Sequence, residues 1–284
     1  MSAAGEAGAP PLRTISGPSA FGGGMRRFWS LLWLQSVTEF KAGYVHTGFG
    51  YLWSLARPLM LFGVLLLVFT KVFRLGSEVP NYPAMLLFNI MLFSFFSEAT
   101  TKAVHAVIRQ ENVVRKMQFP RIVIPLSVVL TALFNTCLNL IAVFAFLLIY
   151  GVEPMWSWLG LPVILGAMTV LTVAVSMLLS ALNVRFRDVA VIWSVVVQVL
   201  FYASPILYPI EFAPQEFREL IQLSPLAPIF EQARVWIIDP SAPSFVEAAG
   251  STLLVVIPIA VFAVVCALGA WVFAREAPRI AENL

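Results

Sequence analysis

The sequence predicts an all-α integral membrane protein with six transmembrane helices, an N-terminal interfacial amphipathic helix and two short outer-side helices. Three observations carry that reading. Of its 284 residues, 60% are hydrophobic and only 12% charged, against about 45–50% and about 25% in soluble domains. Six mostly apolar runs approach or exceed the ~20 residues needed to cross a hydrocarbon core. Fourteen of the 18 lysines and arginines fall in alternate connecting segments, as in a multi-span chain. Too little polar surface exists to coat a globule. A soluble enzyme, a disordered tail and a nucleic-acid-binding domain are excluded, and a net charge of +3 is no polyphosphate footprint.

Residues 1–24 are rich in Ala, Gly, Pro and Ser without an apolar centre, which predicts a flexible cytoplasmic tail rather than a signal peptide. Residues 25–284 read as one membrane domain. From 26 to 44, Trp29, Trp33, Val37, Phe40 and Tyr44 recur at helical spacing, with Gln35, Thr38 and Glu39 opposite. Arg26, Arg27 and Lys41 add cationic contacts for head groups, as in a helix lying in the cytoplasmic interface. Phe28 and Leu31 interrupt the polar side, so a helix buried against the spans also fits. The spans are predicted at about 52–73, 83–104, 122–150, 158–182, 189–209 and 248–273, the first broken by Arg57-Pro58.

With the N-terminus inside, only Lys71, Arg74, Arg218 and Arg234 lie outside, so both termini are expected to be cytoplasmic. The outer loop between spans five and six is acidic and holds two short amphipathic pieces, about 214–223 and 227–238. Phe217, Leu220 and Ile221 share a face of the first; Ile229, Ala233 and Trp236 share one of the second. Each is too short to span, and Glu231 and Arg234 would be costly in lipid. They are expected to dip into, or lie on, the outer leaflet.

Polar residues enter three spans as stripes. Ser127, Thr131, Asn135 and Asn139 repeat at four-residue steps; Thr169, Thr172, Ser176 and Ser180 form a second set; Ser194, Gln198 and Tyr202 form a third. An unpaired polar group in hydrocarbon costs several kcal/mol, so each stripe faces protein or water. Interhelical hydrogen bonding and the lining of a hydrophilic path both fit the spacing. Glu98 is the one carboxylate well inside a span, and Lys102 one turn on can neutralise it. The pair is either a structural ion pair or a contact for cargo.

No chemistry-bearing constellation stands out. Cys137 and Cys266 lie in apolar runs and are expected to be small buried hydrophobes. His46 and His105 stand apart without a ligand cluster, so no metal site is expected. Asp occurs only at Asp188 and Asp239, and no nucleophile has the partners it needs, so no catalytic residue is assigned. No lysine follows a glycine, so the chain lacks a phosphate loop. The inner loop Arg109–Arg121, R-Q-E-N-V-V-R-K-M-Q-F-P-R, is charged on both flanks, apolar at Val113, Val114 and Met117, and stopped by Pro120. It is a positive-inside anchor or a turn that docks into a groove on a soluble partner.

Arg115–Ser127, R-K-M-Q-F-P-R-I-V-I-P-L-S, resembles the segment between spans two and three of ABC-2 type exporter permeases. N-V-R-F-R-D-V (Asn183–Val189) and Y-A-S-P-I-L-Y-P (Tyr202–Pro209) resemble that family's approach to span five and its outer end. G-Y-L-W-S-L-A-R-P-L (Gly50–Leu59) is similar to its first span, and L-S-P-L-A-P-I-F-E-Q-A-R (Leu223–Arg234) to its outer loop. The likeness runs in order from about Arg26 to Arg275 and is nearest to the Wzm-type polysaccharide exporters of O-antigen, galactan or teichoic acid. Leu223-Ser224-Pro225 departs from it, since an Asn commonly precedes the Pro.

The resemblance implies a homodimer in the bacterial plasma (inner) membrane, moving a polyprenyl-diphosphate-linked glycan outward among membrane lipids, with no nucleic-acid partner. Two copies of a separately encoded cytoplasmic ABC ATPase would bind ATP and Mg; this chain would bind no cofactor. Arg109, Glu111, Asn112, Val113, Val114, Arg115, Lys116 and Met117 would form a coupling helix in the ATPase cleft, with Arg185, Arg187 and Asp188 nearby. Beside a lateral gate, Arg26, Arg27, Trp29, Trp33, Lys41 and Arg57 would meet the diphosphate head group, or serve only as membrane anchors. Thr131, Asn135, Asn139, Ser194, Gln198 and Tyr202 would line the path. The outer helices would be gate helices, with Tyr208, Phe217, Phe230 and Trp236 at the outer gate. Export of a drug or another lipid, or a stand-alone secondary transporter or channel, are the alternatives; the last wants broken midplane helices, for which only Pro58 and Pro258 are candidates.

Overall fold

The computed structural model describes residues 24–45, 50–74, 79–111, 120–250 and 252–279, and among them only helices and turns occur. Helix α1 spans Met25–Val45, and α2 spans Leu52–Leu67 and continues as a π turn over Val68–Val72. The longest helices, α3 and α4, span Tyr82–Arg109 and Val123–Tyr150. A 3-10 turn at Trp156–Gly160 leads into α5, Leu161–Arg185, and α6 spans Val189–Ala203. After a 3-10 turn at Ile210–Phe212 come α7 (Gln215–Gln222), α8 (Ala227–Ala233, continued by a π turn over Arg234–Ile238) and α9 (Phe245–Ala249). Helix α10, Thr252–Glu276, closes the fold and ends in a 3-10 turn at Ala277–Arg279.

Local chemistry sets several of these limits. Gly151 terminates α4 at φ 95°, a left-handed cap that glycine adopts without a Cβ clash. Helix α6 stops at Ala203 because Pro205 follows: Ser204 is driven to extended backbone and Pro205 has no N–H to continue the ladder. Helix α6 is therefore 15 residues long, shorter than the predicted fifth span 189–209, and the remaining residues form an irregular exit turn. Ser244 and Glu247 make a reciprocal capping box that starts α9 as a separate helix before α10, where the sequence reading began its last span at 248.

Among the described residues, five helical segments are long and apolar enough to cross a membrane: Leu52–Val72, Tyr82–Arg109, Val123–Tyr150, Trp156–Arg185 and Leu253–Glu276. Helix α3 lies at the centre, packed against α2, α4, α5 and α6. Helix α10 lies on α5, and α1 on α4. Gly269 of α10 sits where a Cβ would come within 2.3 Å of the Ala174 carbonyl oxygen on α5, so the two backbones touch. Small residues permit that close approach. Cys137 is exposed on α4 and Cys266 half-buried on α10, not the buried pair expected; apolar sequence around a residue permits lipid contact as readily as a protein interior.

The hairpin built by α7, α8 and α9, which falls in the loop expected on the outer side and is called the outer hairpin for that reason, closes one end. Its π turn lies over the 3-10 turn before α5: Ser157 Oγ donates to the Trp236 carbonyl at 2.6 Å and Trp158 Nε1 to that of Ile237 at 3.0 Å. The exit turn after α6 is held by α3, whose Tyr82 hydroxyl donates to the Leu207 carbonyl at 2.8 Å. Asn89 of the same helix donates to the carbonyls of Pro205 and Ile206 at 3.3 and 3.4 Å.

Candidate functional site

Two polar assemblies stand at opposite ends of α3. The inner one is organised by α1. This helix buries Leu32 and Ser36, one turn apart, against α4 and leaves Trp29 and Trp33 about 60% exposed. Arg26, Arg27 and Lys41 are exposed on the same helix, and Arg57 is exposed on α2. Apolar rings and cations thus share the open side of α1. Gln35 and Glu39, expected on a polar outer face, turn inward instead. Gln35 Nε2 donates to Glu39 at 3.2 Å and to Gln110 Oε1 at 2.8 Å, and Gln110 Nε2 donates to Glu39 at 3.1 Å. The three side chains satisfy one another, which is why they can leave water. Burial raises the Glu39 carboxyl above the ordinary range, against the pull of both amides and of Lys102.

The α4 stripe meets α1 and the start of α2. Thr131 donates to the Ser36 carbonyl at 3.1 Å, the Tyr44 hydroxyl donates to Asn135 Oδ1 at 2.5 Å, and the Tyr51 hydroxyl donates to Asn139 Oδ1 at 2.5 Å. Asn135 Nδ2 lies 3.4 Å from Glu98, which is paired with Lys102 at 2.6 Å. Of the residues expected to line a path, Thr131, Asn135 and Asn139 are thus engaged with α1 and the start of α2. Ser194, Gln198 and Tyr202 lie apart from them on the exposed side of α6, with Ser194 Oγ donating to the Val191 carbonyl. The α5 stripe is buried except at half-buried Thr169: Thr172 and Ser180 donate within their own helix, and Ser176 Oγ has no hydrogen-bond partner among the described residues.

The inner loop is described only at its edges. Arg109 is exposed and Glu111 half-buried, while Asn112, Val113, Val114, Arg115, Lys116 and Met117 lie outside the described residues. Arg185, Arg187 and Asp188 are exposed between α5 and α6, with the Arg185 guanidinium 5.2 Å from the Phe186 ring centroid and 4.0 Å from Glu276. Arg121 donates to the Ala277 carbonyl, which ties the start of α4 to the end of α10.

The outer assembly divides the residues expected at a gate. Phe217 is exposed on α7, whereas Phe230 is buried on α8 and Trp236 covers Gly160. Tyr208 donates to the Tyr202 carbonyl at 3.2 Å. A cleft of about 500 Å³ opens between the end of α6 and α7, lined by Leu200, Ser204, Tyr208, Phe217, Leu220 and Pro225. Beyond it lies an ionic cluster that the sequence reading did not assemble: Glu231 and Arg234 are buried, and Arg234 Nη1 stands 3.0 and 3.2 Å from the two Glu211 oxygens. The spacing of Glu231 and Arg234, three apart on a helix, was its only signal; Glu211 is twenty residues earlier.

Residues 30–238 match the family model described as ABC-2 type transporter. Over 200 residues the chain is 33% identical to an O-antigen export system permease protein RfbA of Klebsiella pneumoniae, covering 70% of this chain and 76% of that one. A second RfbA from that organism is 32% identical over the same shares. The RfbA of Myxococcus xanthus is 31% identical over 186 residues, 66% of this chain and 71% of its own. The matched stretch takes in α3, α4, α5, α6 and the outer hairpin as far as the π turn over Arg234–Ile238, and with it this chain belongs to the ABC-2 type transporter family.

Proposed function

We propose that this chain is the transmembrane permease subunit of an ATP-driven exporter, moving a lipid-diphosphate-linked polysaccharide from the cytoplasmic side outward. The similarity to three O-antigen export permeases over about two thirds of the chain is the observation that carries this reading. In it, α6 is a short fifth span that brings the count to six, and both termini are cytoplasmic. Two copies form the pore, and two cytoplasmic ATPase subunits bind ATP and Mg and receive the Asn112–Met117 segment of each copy. The outer hairpin serves as the gate.

The open side of α1 supports a place for cargo uptake. A diphosphate needs cations that do not lie in hydrocarbon, and guanidinium matches its oxygens with a bidentate fork. Arg26 and Arg27 are exposed on the same helix as Trp29 and Trp33, whose rings suit head-group depth and the faces of sugars, and Arg57 is exposed on α2.

The purified permease is expected to hydrolyse no ATP alone and to support glycan-stimulated hydrolysis with its ATPase. Val113→Asp with Val114→Asp uncouples the two, because a carboxylate buried in an apolar cleft costs several kcal/mol unless paired. Neutralising Arg26, Arg27 and Arg57 together lowers glycan-stimulated hydrolysis and export while assembly survives. ATP hydrolysis by the permease alone overturns the two-polypeptide reading. Unchanged export by a correctly inserted triple variant reduces the arginines to anchors.

A further inference from the structure

The buried cluster in the outer hairpin has no part in the uptake or coupling just described. Glu231 on α8 is 2% exposed. Its Oε1 accepts the Ile210 N–H at 3.1 Å, and its Oε2 has no hydrogen-bond partner among the described residues. Arg234, one turn on, grips Glu211 and stands 3.8 Å from Glu231 Oε2, beyond hydrogen-bonding reach. Ile210 and Glu211 belong to the 3-10 turn that follows the exit of α6, whereas Glu231 and Arg234 belong to the hairpin. All cross-links of the cluster therefore join one to the other.

Charge counting decides how the cluster holds. Glu211, part-exposed, takes the Arg234 guanidinium, so an ionised Glu231 would leave a buried negative charge with no hydrogen-bonded cation. A proton on Glu231 removes that charge and leaves Arg234 wholly to Glu211, the arrangement seen here. Burial and the nearby Glu211 favour the proton; Arg234 and the Ile210 amide oppose it, and the balance pushes Glu231 up to about 7.

Among the described residues no other charged side chain pairs with Glu231, and Glu153, Glu216 and Glu219 are exposed. Arg218 of α7 donates to the carbonyls of Glu211 and Ala213, Asp239 accepts from Ser241, and Glu247 of α9 is bound to Ser244. At their outer ends, α3, α5 and the 3-10 turn before α5 carry no charged side chain, and Tyr82 donates to the Leu207 carbonyl.

We propose that Glu231 and Arg234 are positioning residues of a protonation-dependent latch, which holds the outer hairpin on the exit turn of α6. Because Glu231 titrates above an ordinary glutamate, the latch holds fully below the usual carboxylate range. It weakens as the outside pH rises through about 7. The consequence for export rests on the hairpin being the gate; the latch does not.

The test uses the full permease with its ATPase in proteoliposomes, with Cys137 and Cys266 replaced by Ser. A single cysteine at buried Ala233 reports hairpin opening through its reaction with a membrane-impermeant maleimide. A cysteine at exposed Phe217 is the reference, and the ratio of the two rates cancels thiol ionisation. From pH 5.5 to 8.5 the ratio is expected to rise about fivefold with Glu231 present, within the roughly tenfold-per-unit limit of a single titration. Glu231→Gln keeps an acceptor for the Ile210 amide and should hold the ratio low and flat. Arg234→Ala should leave it high throughout. If Ala233→Cys does not fold, Ala242→Cys at the far side of the hairpin gives the same reading. A flat ratio with Glu231 present, or a slope that survives Glu231→Gln, overturns the latch. A ratio that titrates while glycan export does not keeps the latch and removes the hairpin from the gate.

Discussion

Helices α3 and α10 can both cross a membrane, yet 78% of the apolar window of α3 is buried in protein against 11% for α10. The less apolar helix is the more buried one. Helix α3 carries Asn89, Glu98 and Thr100, and each has a partner on another element or one turn away: the exit turn, Lys102, and the indole N–H of Trp193 at 3.1 Å. Between Leu253 and Phe273, α10 carries no polar side chain except Cys266. Hydropathy thus measures tolerance of lipid, not depth in the fold. In hydrocarbon, apolar surface gains little by leaving lipid, whereas a polar group must find protein.

The sharpest way to break this contrast is where the backbones of α10 and α5 touch. Gly269→Leu would drive a side chain into the Ala174 carbonyl. It should cost more than the about 1–3 kcal/mol of ordinary overpacking, because backbone cannot rotate aside. The folded peak in size-exclusion chromatography should be lost. Gly166→Ala, whose Cβ meets nothing within 4 Å, should leave that peak unchanged.

A smaller effect is expected from the core side. Asn183 of α5 donates to the Val104 carbonyl of α3 at 2.9 Å. Asn183→Leu should cost about 1 kcal/mol, typical of an interhelical hydrogen bond in a membrane, read as a lower thermal midpoint in detergent.

The α1 contact responds to pH rather than to packing. Since burial raises Glu39, the stability of its contact with Gln35 and Gln110 is complete below the ordinary glutamate range and fades as pH climbs through the raised value. Amide hydrogen exchange in α1, corrected for intrinsic rates, should therefore quicken from pH 5 to 8, and Glu39→Gln should remove the difference. The smallest effect belongs to the open face of α10: Val264→Leu, at a position 55% exposed, should change the thermal midpoint by no more than about 0.5 kcal/mol equivalent.

The four-residue repeat of Ser127, Thr131, Asn135 and Asn139 was legible as one stripe because helical periodicity is local. Its partners were not. Ser36, Tyr44 and Tyr51 arrive from 88 to 95 residues earlier, and nothing in either segment names the other. Helix α1 shows the same limit: its spacing marked two faces, but which one met protein depended on Gln110 lying ready to satisfy Gln35 and Glu39. The Glu98–Lys102 pair was readable, since both members sit on one helix four residues apart.

The sequence by itself determined the solvent and the secondary structure of this protein. Composition requires a membrane, apolar runs set the long helices, and Pro205 and the Ser244–Glu247 pair set where two of them stop or start. These follow from interactions within a few residues. Which helix is central, which polar stripe is occupied and which charges are buried together were decided only by tertiary structure. Glu231, Arg234 and Glu211 become a single titrating unit because the hairpin folds back onto the exit turn. Electrostatics at that range depends on distance and burial, and neither is a property of a linear chain.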